Sequence, residues 1–120
     1  MVTQPQSELV TKEGDSVNLT CSYHAGYPTL MWYQQDRSKS ITFILDEQTL
    51  PEDMQPKFRH RFSSKIFRTQ KTFLLAISPA AVVDTAIYYC AVRYTTMHRY
   101  YTGIMLFAPY RELACKPQQV

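Results

Sequence analysis

The chain has 120 residues, the size of one ordinary domain, and 45% of them are hydrophobic, enough for a buried core and too many for a disordered segment. Thirteen Lys and Arg against ten Asp and Glu leave a net charge of +3, too mild to predict a nucleic-acid or membrane surface. Seven prolines argue against a helical domain, while nine tyrosines suit half-buried strands and binding loops.

Residues 2–5 read as a short edge strand broken by Pro5 and continued at Leu9-Val10-Thr11. Glu13-Gly14-Asp15 is a turn. Residues 16–21 then alternate, with Val17, Leu19 and Cys21 toward the core and Asn18 and Thr20 outward. Asn18-Leu19-Thr20 is an N-glycosylation sequon, and it reads equally as a plain polar strand face. Gly26 and Pro28 mark residues 24–29 as a loop. Strands follow over residues 30–35 and 41–45, separated by a polar turn. Residues 46–56 are acidic and loop-like; Asp46, Glu47, Glu52 and Asp53 lack calcium-loop spacing and read as solvated.

Two more strands are expected over residues 61–66 and 72–77, the second with Phe73, Leu75 and Ile77 on one face. Residues 78–84 read as a short helical turn with Pro79 near its start. Asp84 is placed to pair with Arg61, and the alternative is an exposed pair of little worth. Residues 86–92 form the next strand. Residues 93–101 have no clean period and are polar, basic and tyrosine-rich, so they read as a long loop. The last strand starts at Ile104-Met105-Leu106-Phe107 and finishes over residues 112–116. With about nine short strands, no internal repeat and turn signals at sandwich spacing, the chain is all-β.

Catalytic and metal signals are missing. Gly14, Gly26 and Gly103 stand too far apart for a phosphate loop, and Gly-x-Ser-x-Gly does not occur. His24, His60 and His98 are scattered and no Cys-x-x-Cys is present, so neither metal nor cofactor is expected. His98 beside Arg99 has no named partner and reads as solvated rather than as a general acid. An enzyme is therefore not expected.

Cys21, then Trp32, then Tyr88 two residues before Cys90, stand in the order that marks an immunoglobulin sandwich. Essentially the whole chain resembles an immunoglobulin variable (V-type) domain, and more closely a T-cell receptor variable domain of the alpha or delta type. The residues that carry this are Val2-Thr3-Gln4-Pro5, Glu13-Gly14-Asp15-Ser16-Val17, Trp32-Tyr33-Gln34-Gln35, Arg61-Phe62-Ser63, Phe73-Leu74-Leu75-Ala76-Ile77-Ser78 and the stretch 84–90. Cys90-Ala91-Val92-Arg93 resembles the start of an alpha-chain third hypervariable loop. The resemblance implies a V-type β-sandwich of two antiparallel sheets with Greek-key connections. It divides the chain into a variable-segment-like part, 1–92, a third hypervariable loop, 93–103, and a joining-segment-like strand, 104–117.

By the same resemblance Cys21 and Cys90 form the inter-sheet disulfide, Trp32 packs on it, and the Tyr88 hydroxyl turns back onto the backbone. Cys115 is then left over, read as a small buried thiol rather than an interchain bridge. A structural disulfide implies an oxidising compartment. With no signal peptide before Val2 and no apolar run of about 20 residues, the expectation is the excised extracellular domain of a cell-surface receptor behind an added start Met1.

The resemblance further implies recognition by three loops at one end of the sandwich. By position these hold His24, Tyr27 and Thr29; then Asp46 and Gln48; then Arg93, Tyr94, Thr95, Met97, His98, Arg99, Tyr100 and Tyr101. The implied ligand is a peptide or other ligand on an antigen-presenting molecule. Tyr33, Gln35, Ile41, Phe43, Tyr89, Phe107 and Tyr110 match the family's pairing surface for a second V-type domain, in a hetero- or homodimer, with Gln35 hydrogen-bonding its counterpart. Neither nucleic acid nor membrane contact by this domain is implied. The rival reading is a non-rearranged innate or adhesion receptor, unpaired or homodimeric. The tail departs from the family pattern: Phe107-Ala108-Pro109-Tyr110 lacks both usual glycines. That edge is therefore expected to lack the glycine bulge and to weaken or shift pairing.

Overall fold

The computed structural model of the chain describes residues 2–3, 8–24, 26–93 and 99–107, with backbone alone for the strands Val2–Thr3 and Arg99–Phe107. Among the described residues nine strands run in chain order: β1 (Val2–Thr3), β2 (Glu8–Val10), β3 (Val17–Tyr23), β4 (Thr29–Gln35), β5 (Ile41–Asp46), β6 (Phe62–Phe67), β7 (Thr72–Ile77), β8 (Ala86–Arg93) and β9 (Arg99–Phe107). They form a four-stranded sheet, β1-β3-β7-β6, and a five-stranded sheet, β2-β9-β8-β4-β5. Every described pairing is antiparallel except that β2 runs parallel to β9.

Alternation puts one side of each sheet into a shared core. Val17, Leu19, Cys21 and Tyr23 point inward from β3, facing Leu30, Trp32, Tyr88, Cys90 and Val92 from the other sheet. The Cys21–Cys90 disulfide ties β3 to β8 with an S–S distance of 2.05 Å. Trp32 lies opposite Cys90 in the β4–β8 register, and its ring centroid is 6.2 Å from that of Phe73, itself opposite Cys21. The bridge closes a chain separation of 69 residues, which by loop-closure entropy stabilises the fold by about 4 kcal/mol.

Three boundaries differ from the sequence expectation. The segment after Pro5 does not continue β1 but joins the other sheet, beside β9. Pro5 stands between the two strands in sequence, and a proline cannot donate to a ladder. The helical turn expected over residues 78–84 is confined to a 3-10 turn at Val82–Asp84. Finally, β9 begins at Arg99 rather than Ile104, because its backbone pairs with β8 as far as Arg93 opposite Arg99. Tyr, with its β preference, supports the longer ladder once a partner strand is beside it.

The base of the sandwich is fixed by a polar cluster. Arg61 meets Asp84 through two bonds, Nη1 to Oδ2 at 2.6 Å and Nη2 to Oδ1 at 2.9 Å. The Asp84 side chain is 3% exposed, so this is not the exposed pair of little worth. Asp84 Oδ2 also accepts from the Ala81 backbone N–H, and the buried Tyr88 hydroxyl donates to the Asp84 carbonyl at 2.6 Å. Gln34 Nε2 in turn donates to the Tyr88 oxygen at 2.9 Å.

Candidate functional site

Strand register gathers the expected loops at one end. Thr29, the first residue of β4, lies opposite Arg93, the last of β8, and Arg93 lies opposite Arg99. The first and third loops therefore leave from adjacent strands. β5 ends at Asp46, opposite Met31, so the second loop leaves the same edge.

Within this end the expected residues take different roles. His24, Tyr27, Gln48 and Arg93 are exposed, Tyr27 at 83% of its surface. Thr29 sits in β4 and is half-buried. Asp46 holds its own turn together: Oδ1 accepts from the Gln48 N–H at 2.9 Å and from Thr49 Oγ1 at 2.8 Å. A carboxylate committed in this way shapes the loop. Arg99, Tyr100 and Tyr101 belong to the β9 ladder instead of the loop. Tyr94, Thr95, Met97 and His98 lie outside the described residues, as do Ala108, Pro109, Tyr110 and Cys115.

One participant was missed. The turn joining β6 to β7 rises to the same end and presents Arg68. Its Nη2 donates to Glu47 Oε2 at 3.0 Å, and its guanidinium carbon lies 5.5 Å from the Tyr27 ring centroid. Arg68 thus touches the first and second loops at once. The pair is too exposed to add more than about 0–1 kcal/mol, so its effect is on loop position. Arg68-Thr69-Gln70-Lys71 reads as a plain polar turn, and no local pattern shows which loops it reaches.

The second feature is the outer face of the five-stranded sheet. Ile41 is 62% exposed and Phe43 39%. The Tyr33 and Phe43 rings meet edge-on at 5.5 Å. Tyr89 lies opposite both Tyr33 and Gly103, and its hydroxyl donates to Gln35 Oε1 at 2.9 Å. Gln35 Nε2 donates to the Lys39 carbonyl at 3.4 Å, so the amide expected to bond a counterpart is engaged within the chain. A Cβ on Gly103 would stand 2.9 Å from Tyr89 Cε1 and 3.2 Å from Ile87 Cγ2. Only glycine leaves room for the Tyr89 ring at that distance. Phe107 closes β9, opposite Val10.

Among the described residues no group of three or more His, Cys, Asp and Glu is placed to hold a metal ion. No helix among them is long and apolar enough to cross a membrane.

A disulfide-bridged sandwich of this topology defines a class, and the immunoglobulin V-set domain model matches residues 4–107. The chain belongs to the V-set family, and within it is similar to T cell receptor variable domains. It is 33% identical over 92 residues to human (Homo sapiens) T cell receptor alpha variable 38-1, covering 75% of this chain and 78% of that protein. It is 36% identical over 92 residues to human T cell receptor alpha variable 36/delta variable 7, covering 76% and 78%. Over 118 residues it is 30% identical to the human T cell receptor alpha chain MC.7.G5, covering 97% of this chain but 40% of that one.

Proposed function

We propose that the chain is the ligand-recognition variable domain of a T-cell-receptor-like cell-surface receptor. It pairs through the outer face of the β2-β9-β8-β4-β5 sheet with a second V-type domain. It binds, through the three loops at the β4–β8–β9 end, a ligand on an antigen-presenting molecule. The domain acts outside the cell, and its chemistry is contact rather than catalysis. Residues 1–92 serve as the variable segment, 93–103 as the third hypervariable stretch, of which residues 99–103 already lie in β9, and 104–117 as the joining segment.

The observation that carries this reading is the aromatic face. Tyr33, Phe43 and Ile41 stand outward from a sheet whose other side is the core, and an apolar group of this kind calls for a cover. The alpha and delta variable relatives support a receptor context for that cover. The engaged Gln35 amide, together with Ala108-Pro109-Tyr110 in place of glycines, favours a second reading. In it the chain is a V-type domain of a non-rearranged innate or adhesion receptor, unpaired or homodimeric.

The test is a reporter cell carrying the chain in a receptor with a beta-type partner, exposed to antigen-presenting cells. Replacing residues 94–98 should change which cells trigger the reporter while surface level stays constant. Sequencing transcripts from many cells separates the readings: a third loop that varies supports an antigen receptor, and one fixed loop supports the innate one.

A further inference from the structure

Neither the loop end nor the pairing face uses the outer surface of the four-stranded sheet. Register places three rows across it: Asn18, Ala76 and Ser63; Thr20, Leu74 and Lys65; Ser22, Thr72 and Phe67. Lys65 is the one charged residue among these nine, so the face is broad and nearly neutral. Asn18 is exposed as the second residue of β3, and its row neighbours Ala76 and Ser63 are small, leaving space above the amide. Thr20, two residues on, shares this face by the period-2 alternation of the strand. Neither the Asn18 amide nor the Thr20 hydroxyl has a side-chain hydrogen bond among the described residues. Asn18 is also the only asparagine in the chain, and it falls in the sequon Asn18-Leu19-Thr20.

We propose that Asn18 is an N-glycosylation site whose glycan lies over this neutral face. In the transfer, the Asn18 amide nitrogen attacks the anomeric carbon of a lipid-pyrophosphate-linked oligosaccharide. The N–C bond forms, the sugar–phosphate C–O bond breaks, the amide gives up one proton, and the lipid pyrophosphate departs. The Thr20 hydroxyl is the sequon group that the transferase requires. A strand face that stays outward in the finished sandwich keeps the bulky product, and the hydrated glycan covers Leu74 and Phe67 without touching the pairing sheet. The outer face of the four-stranded sheet is thereby closed to protein partners.

The test is expression of the whole chain behind a signal peptide in mammalian cells. Both the intracellular and the secreted pools are digested with peptide-N-glycosidase in heavy-oxygen water. Because one asparagine is present, the readout is unambiguous: residue 18 should convert to isotopically labelled Asp, with a gel shift of the chain. N18Q and T20A should remove the shift, and T20S should keep it. Unmodified Asn18 in both pools, or a shift that persists in N18Q, overturns the proposal. Reading both pools makes the result independent of how well a variant is secreted.

Discussion

Tyr88 joins the core to the base of the sandwich through one hydroxyl, donating to the Asp84 carbonyl while accepting from Gln34. Burial pushes this phenol well above its ordinary value, and the Gln34 hydrogen bond offsets only part of the shift. The folded state therefore holds the proton more tightly than the unfolded state. The stability this confers is complete below about pH 10, the unfolded phenol value, and is lost as pH rises from there toward the folded value. Urea midpoints measured across this range should be flat below about pH 10 and fall above it, and Tyr88→Phe should fall less steeply. That variant should also lose about 1–2 kcal/mol at neutral pH, because it leaves a buried carbonyl unpaired. The neighbouring Arg61 guanidinium is held protonated by its hydrogen bond to Asp84. Arg61→Ala leaves the nearly buried Asp84 carboxylate without its cation. Because Arg61 is itself a quarter exposed, the cost should lie near the low end of the usual 3–5 kcal/mol for a broken buried pair, read by the same urea titration.

At the scale of elements, the core strands were legible because alternation, the Cys–Trp–Tyr–Cys order and turn residues all point to one sandwich. Val17, Leu19, Cys21, Phe73, Leu75 and Ile77 all face inward as their period requires. The sheet change between β1 and β2 was not legible, since a two-residue and a three-residue strand carry no period that says which neighbour they join. The start of β9 was hidden for a related reason. Arg99-Tyr100-Tyr101 looks like a loop in isolation and becomes strand only because β8 offers its edge. Gly103 had a local signal, a lone glycine in a β-rich run, which marks close backbone approach. Nothing local says that the group approaching it is the Tyr89 ring, one strand away. Gly103→Val should displace the Tyr89 ring and break its bond to Gln35, costing about 1–3 kcal/mol by overpacking. A thermal melt measures that loss. Arg68→Ala should leave the melt within about 0.5 kcal/mol of wild type, as surface changes do, yet speed hydrogen exchange in loops 24–28 and 47–50.

For the whole molecule, the two sheets divide the labour. Their inner sides share one core pinned by a disulfide, and their outer sides differ in kind. The five-stranded sheet presents Tyr33, Ile41, Phe43 and Tyr89, while the four-stranded sheet presents mostly small or polar residues, with Leu74, Phe67 and one lysine among them. The proposed pairing through the first and the proposed glycan on the second both rest on that asymmetry. At the loop end Arg68 joins the first and second loops through Tyr27 and Glu47. The pairing claim is met most directly by sedimentation velocity of the chain alone and mixed with a panel of beta-type variable domains, comparing wild type with Phe43→Asp. The account predicts a two-domain complex for the wild type that Phe43→Asp disrupts, with the melting transition of the single domain largely kept. A wild-type chain that stays monomeric with every partner and with itself, or a complex that forms equally well with Phe43→Asp, would contradict it.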